Sequence, residues 1–142
     1  MDRYKLALVN ALVKRSKASE KAYICLKAGW LLRSWQESLK ASGEEENAKK
    51  IEGLKEQERE FLKNAMDGFF TARQTEGYPM CGMDETTVDY LVAVLAMEHD
   101  QLDTASRIVS SIITSHVANS RMKDKARDLK EMIVAKMKEK NA

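Results

Sequence analysis

An all-α fold, with helices laid side by side in antiparallel pairs, is what this sequence predicts, and three observations carry the prediction. Apolar residues recur three and four positions apart along most of its length, the period of a helix with one buried face. One Pro and six Gly among 142 residues leave little material for the turns of a many-stranded sheet. Hydrophobic residues at 44% and charged residues at 32% suit amphipathic helices, in a chain long enough to bury a core without disulfide or metal staples. One domain over residues 1–142 is the expectation at this length.

About six helices follow. Leu6, Leu8, Val9, Leu12 and Val13 predict the first over residues 3–15. Ser19 is a good N-cap for a second, running to about Leu39 through Ala22, Cys25, Leu26, Gly29, Trp30 and Leu32. Ser42 with Glu45 reads as a capping box opening a long third helix over 44–75, closed by Gly77 and Pro79. Its apolar residues gather toward the C-terminal half, ending in Phe69 and Phe70, so its polar first turns are expected to project into solvent or break near Gly53. Asp84 caps a fourth helix over 86–99; Leu102 to Ile113 mark a fifth; Met122, Ala126, Leu129, Ile133 and Met137 mark a sixth from about Ser120. No segment alternates well enough to be a strand. The core is expected in or near Trp30, Phe69, Phe70, Leu91, Leu95, Ile108 and Ile112. The chain thus divides into basic first helices over 1–42, the long helix over 43–78, and a helix pair plus closing helix over 79–142.

Two cysteines, Cys25 and Cys81, are too few for a secreted disulfide framework and suggest reduced thiols in a cytoplasm. The apolar run at the start is broken by Asn10 and followed by Lys14 and Arg15, unlike a signal peptide, and no stretch is long and apolar enough for a membrane span. A soluble chain without a membrane partner is expected. The net charge of +2 hides segregation: +6 over residues 1–42, −3 over 43–78, −5 over 79–119 and +4 over 120–142. Such blocks either steer a partner or complement one another within the folded body.

A search for helical repeats places Ala105 at the small residue opening the second helix of a tetratricopeptide unit. Val92 and Ala93 then fall at its Leu-Gly pair and Val109 at an aromatic position, while Asp89, Ala96 and Val117 depart from the consensus. The pattern is that of a degenerate repeat, and it predicts a tetratricopeptide-like right-handed helical stack. The words RYKLALVNALVKR, SEKAYICLKAGWLLRSW, GYPMCGMDETTVDYLVAVL and SRMKDKARDLKEMI, in that order, resemble the helical C-terminal region of the uncharacterised bacterial family called domain of unknown function 2225. The resemblance covers nearly the whole chain. It implies a tetratricopeptide-like domain in a bacterial cytoplasm and no assigned activity. Members of that family carry a Cys-rich segment ahead of the helices; the sequence leaves open whether this chain is part of a longer protein bearing one, and no zinc function is carried over.

Chemistry finds little support. Cys25, Cys81, His99 and His116 are too scattered for a zinc site, so no metal or cofactor is expected, and Cys25 reads as a core residue. Nucleophile-elbow, phosphate-loop and dinucleotide fingerprints do not occur, and no catalytic residue is assigned. Cys81, in the loop EGYPMCGMDE just ahead of a helix start that favours a thiolate, is the candidate reactive thiol and supports an alternative redox role. Weak nucleic-acid binding through Arg3, Lys5, Lys14, Arg15, Lys17 and the basic Arg121 to Lys140 segment is a second alternative, opposed by the acidic middle. The preferred reading is a non-enzymatic protein- or peptide-interaction module. Its groove would be lined by Tyr23, Leu26, Trp30 and Arg33 from one pair and Tyr90, Val94 and Met97 from another. A homo-oligomer is an open alternative, because end pairs of such stacks expose apolar faces.

Overall fold

The computed structural model describes Lys5 and residues 17–141. Among these residues the chain is all-helical: α1 (Ala18–Gly43), α2 (Ala48–Thr75), α3 (Glu85–Glu98), α4 (Leu102–Thr114) and α5 (Ser120–Asn141). The helix expected over 3–15 lies outside the described residues, Lys5 apart. Two compact units divide the chain between Thr75 and Glu76.

The first unit's described part is an antiparallel hairpin of α1 and α2. Ala22 faces Gly68, Gly29 faces Leu62 and Gln36 reaches Glu58, so the two helices run in opposite directions along their length. Two glycines set how closely they approach. A Cβ at Gly29 would lie 2.5 Å from Leu62 Cδ2, and one at Gly68 would lie 2.8 Å from Ala22 Cβ. Around these points Ala22, Leu26, Leu32, Leu62, Ala65, Met66 and Phe69 are buried away from water.

The turn between them differs from expectation. Ser42 does not open α2; it sits in the last turn of α1, its hydroxyl donating to the Leu39 carbonyl at 3.2 Å. Gly43, at φ 142°, ends α1, and the Asn47 side-chain amide donates to the carbonyls of Leu39 (3.1 Å) and Gly43 (3.0 Å). The Asn47 amide adds a side-chain donor to two carbonyls at the helix end, beside the Ser42 hydroxyl at Leu39 and the Asn47 backbone N–H at Gly43. Helix α2 then runs unbroken through Gly53, because Ile51 and Leu54 beside it are buried and packing outweighs the roughly 1 kcal/mol that a helical glycine costs. At the other end of α1 the cap position falls on Lys17, whose backbone N–H donates to Glu20 Oε2, while Ser19 is buried in the first turn.

The second unit packs α3, α4 and α5 against one another. The expected cap holds: the Asp84 carboxylate accepts from the Thr87 N–H at 2.9 Å and the Thr86 hydroxyl at 3.1 Å. These bonds hold its carboxyl below its ordinary 3.8, the Thr87 bonds contributing most. Helix α3 ends where Asp100 takes a left-handed φ of 65°, with the N–H groups of His99, Asp100 and Gln101 donating back to Leu95, Met97 and Ala96. Asn119 caps α5, its Oδ1 accepting from the Met122 N–H at 2.8 Å. Lys140 near the end of α5 pairs with Asp100 near the start of α4, which makes that pair antiparallel too. Val88, Val92, Ala93, Ala96, Ala105, Val109, Ile112, Ala126 and Ile133 fill the centre.

Candidate partner-binding surface

The buried face of α1 takes Ala22, Cys25, Leu26, Gly29, Leu32 and Gln36, so Tyr23, Lys27 and Trp30, four and three positions apart, project together from another side. Lys27 Nζ stands 5.2 Å from the Tyr23 ring centroid and 5.5 Å from that of Trp30. Cation–π contacts of this exposed kind contribute about 0.5–1 kcal/mol and bring the two rings together around one ammonium group. Trp30 is 41% exposed and the neighbouring Leu31 49%. A tryptophan left this open is an apolar area the hairpin does not use for itself.

Leu31 begins a second row, followed at helical spacing by half-buried Trp35 and Leu39. That row leads into a groove of about 490 Å³ between the two helices, walled by Trp35 and Leu39 from α1 and by Lys49, Lys50, Gly53, Leu54 and Gln57 from α2. Beyond it, Glu58 ties the helices together: its carboxylate accepts from Arg33 at 3.3 Å and from Gln36 Nε2 at 2.9 Å, and Gln36 also donates to the Leu32 carbonyl.

The residues expected to line one groove therefore fall into different roles. Tyr23 and Trp30 share an accessible face, and Trp30 belongs to it rather than to the core. Leu26 and Met97 are core residues, 1% and 6% exposed, because their positions on α1 and α3 face the packed side. Arg33 is engaged by Glu58, while Tyr90 and Val94 are half-buried on α3 in the second unit. Of the expected core, Phe69, Leu95, Ile108 and Ile112 are buried, and Phe70 and Leu91 are half-buried. The groove with Lys49 and Lys50 has no forerunner in the sequence reading; Trp35, one helical turn from Leu31 and Leu39, was its only signal.

The chemically suggestive residues are dispersed. Cys25 is buried, and burial pushes its thiol upward from 9.0. Cys81 is exposed in the turn between Met80 and Met83, at φ 52°. The Asp84 carboxylate already accepts from the Thr87 amide of α3, bringing negative charge to the helix start that a thiolate would need. His99 Nδ1 lies 2.9 Å from the Leu95 carbonyl and His116 is exposed. Among the described residues no cluster of three His, Cys, Asp or Glu could hold a metal ion, and no helix is long and apolar enough to cross a membrane. On basic α5, Arg127 pairs with Asp124 at 3.0 Å and Lys140 with Asp100, which withdraws two cations from a phosphate-binding surface.

Comparison with known families adds one result. The profile of a bacterial family, described as an uncharacterized protein conserved in bacteria (DUF2225), matches residues 1–133. The chain belongs to this family. No curated protein matches it, and no solved structure does. Membership in DUF2225 agrees with the resemblance read from the residues and brings no activity with it.

Proposed function

We propose that this DUF2225 chain is a non-enzymatic interaction module that engages a protein or peptide partner through the outer face of α1. The observation that carries the reading is the Tyr23–Lys27–Trp30 platform with exposed Leu31 beside it. Trp and Tyr are enriched at the energetic centres of interfaces, where their large rings supply most of the contact area. The helix pairs of both units, with small residues at Gly29, Gly68, Ala93 and Ala105 where backbones approach, support a tetratricopeptide-like right-handed stack as the scaffold. A bacterial cytoplasm is the compartment that suits two cysteines without a disulfide.

The test is capture from a bacterial lysate by the intact chain and by a Tyr23→Ala, Trp30→Ala variant whose helicity and melting are unchanged. A protein retained by the first and lost from the second supports the face. Equal retention by both removes it.

A further inference from the structure

The groove beside that platform has a chemical character of its own. Its floor is apolar, from Trp35, Leu39 and Leu54; its α2 wall carries Lys49 and Lys50 and no carboxylate. Neither lysine forms an ion pair among the described residues. At Gly53 a Cβ would meet nothing within 4 Å, so the backbone of α2 lies open between the lysines and Leu54. The Leu31–Trp35–Leu39 row continues the apolar surface out of the groove toward the aromatic platform on the same helix.

We infer that this groove receives an acidic amphipathic segment of the partner protein, its apolar anchors against Trp35, Leu39 and Leu54 and its carboxylates against Lys49 and Lys50. The inference rests on the interaction reading above and names the chemistry of its partner. Two unpaired ammonium groups at the rim of an apolar trough select against basic segments, since like charges there would be brought together during desolvation. The missing side chain at Gly53 lets a bound segment approach the helix backbone. Segments with apolar residues at helical spacing satisfy a groove of this shape.

The experiment is selection of a random-peptide display library on the intact chain, followed by binding of the enriched peptides to a Lys49→Glu, Lys50→Glu variant and to Gly53→Leu. Lys49, Lys50 and Gly53 are all exposed in the first turns of α2, so both variants should keep the hairpin, as circular dichroism and melting check. Enriched peptides are expected to combine apolar residues with net negative charge. Their affinity should fall about tenfold or more on charge reversal, and weaken with added salt. Failure to enrich, enrichment of basic or uncharged peptides, or affinity unchanged in both variants overturns the inference. A lysate partner lost with Tyr23→Ala, Trp30→Ala but indifferent to both groove variants would overturn the groove alone and leave the interaction reading standing.

Discussion

In the hairpin of α1 and α2 the backbones meet at glycines, Gly29 against Leu62 and Gly68 against Ala22, whereas in the bundle of α3, α4 and α5 alanines stand at the centre: Ala93, Ala96, Ala105 and Ala126. A glycine contact leaves no atom to spare, because any added Cβ meets a neighbour; an alanine contact is already at ordinary packing distance. The hairpin joins two long helices along their length, with two crossings too close for a Cβ, and one of those helices exposes a tryptophan. The bundle spreads its burial over three shorter helices and a well-made cap. Exposed apolar side chains occur in both units, Trp30 and Leu31 on the hairpin and Tyr78, Val117, Met132 and Val134 within residues 76–142, and those of the hairpin stand beside the Tyr23–Lys27 contact.

The largest expected effect tests the hairpin's core. Phe69→Ala removes a fully buried ring between the helices and should destabilise by about 3–5 kcal/mol in denaturant unfolding. A loss below about 1 kcal/mol would mean that the hairpin collapses around the space and is not closely packed. Next comes Gly68→Ala, where Ala22 Cβ is fixed to its backbone and cannot swing aside. Overpacking of about 1–3 kcal/mol exceeds the gain of about 1 kcal/mol in helix propensity, so the variant should be net destabilised. Stabilisation would show that the two backbones are free to separate.

The bundle's cap gives the intermediate effect. Asp84→Ala should lower stability by about 1 kcal/mol by freeing the Thr87 amide. The carboxyl is held below its ordinary 3.8 in the folded chain, so its contribution is present above that value and fades as pH falls below it. Acid titration of wild type and variant should thus converge at low pH, and parallel curves would contradict the cap. The smallest change contrasts two glycines of one helix: Gly53→Ala, with open space around it, should stabilise by about 0.5–1 kcal/mol where Gly68→Ala destabilises.

Helix count and placement for α1 to α5 were legible because spacings of three and four survive in every segment, and Asp84 announced its own cap. Boundaries were less so. Ser42 and Glu45 fit a capping box, yet α1 runs past Leu39 to Gly43, which ends it at positive φ, and Asn47 bonds the turn instead. A break or projection near Gly53 was expected because the first turns of that helix are so polar, yet the helix is continuous there, with Ile51 and Leu54 buried. Which side of an amphipathic helix is covered depends on the partner helix, which periodicity does not name. Hence Trp30, expected both near the core and in the groove, lies on an accessible face, while Leu26 and Met97 were expected in the groove and lie inside. The Lys49–Trp35 groove joins two helices across a turn and is visible only once their register is known.

The most direct test of the interaction reading is the affinity of the captured partner, measured by calorimetry, for the intact chain and for Trp30→Ala. Truncating an exposed anchor of this kind should weaken binding by about 2 kcal/mol, roughly thirtyfold, with melting unchanged. Equal affinity for both would contradict a binding face on α1.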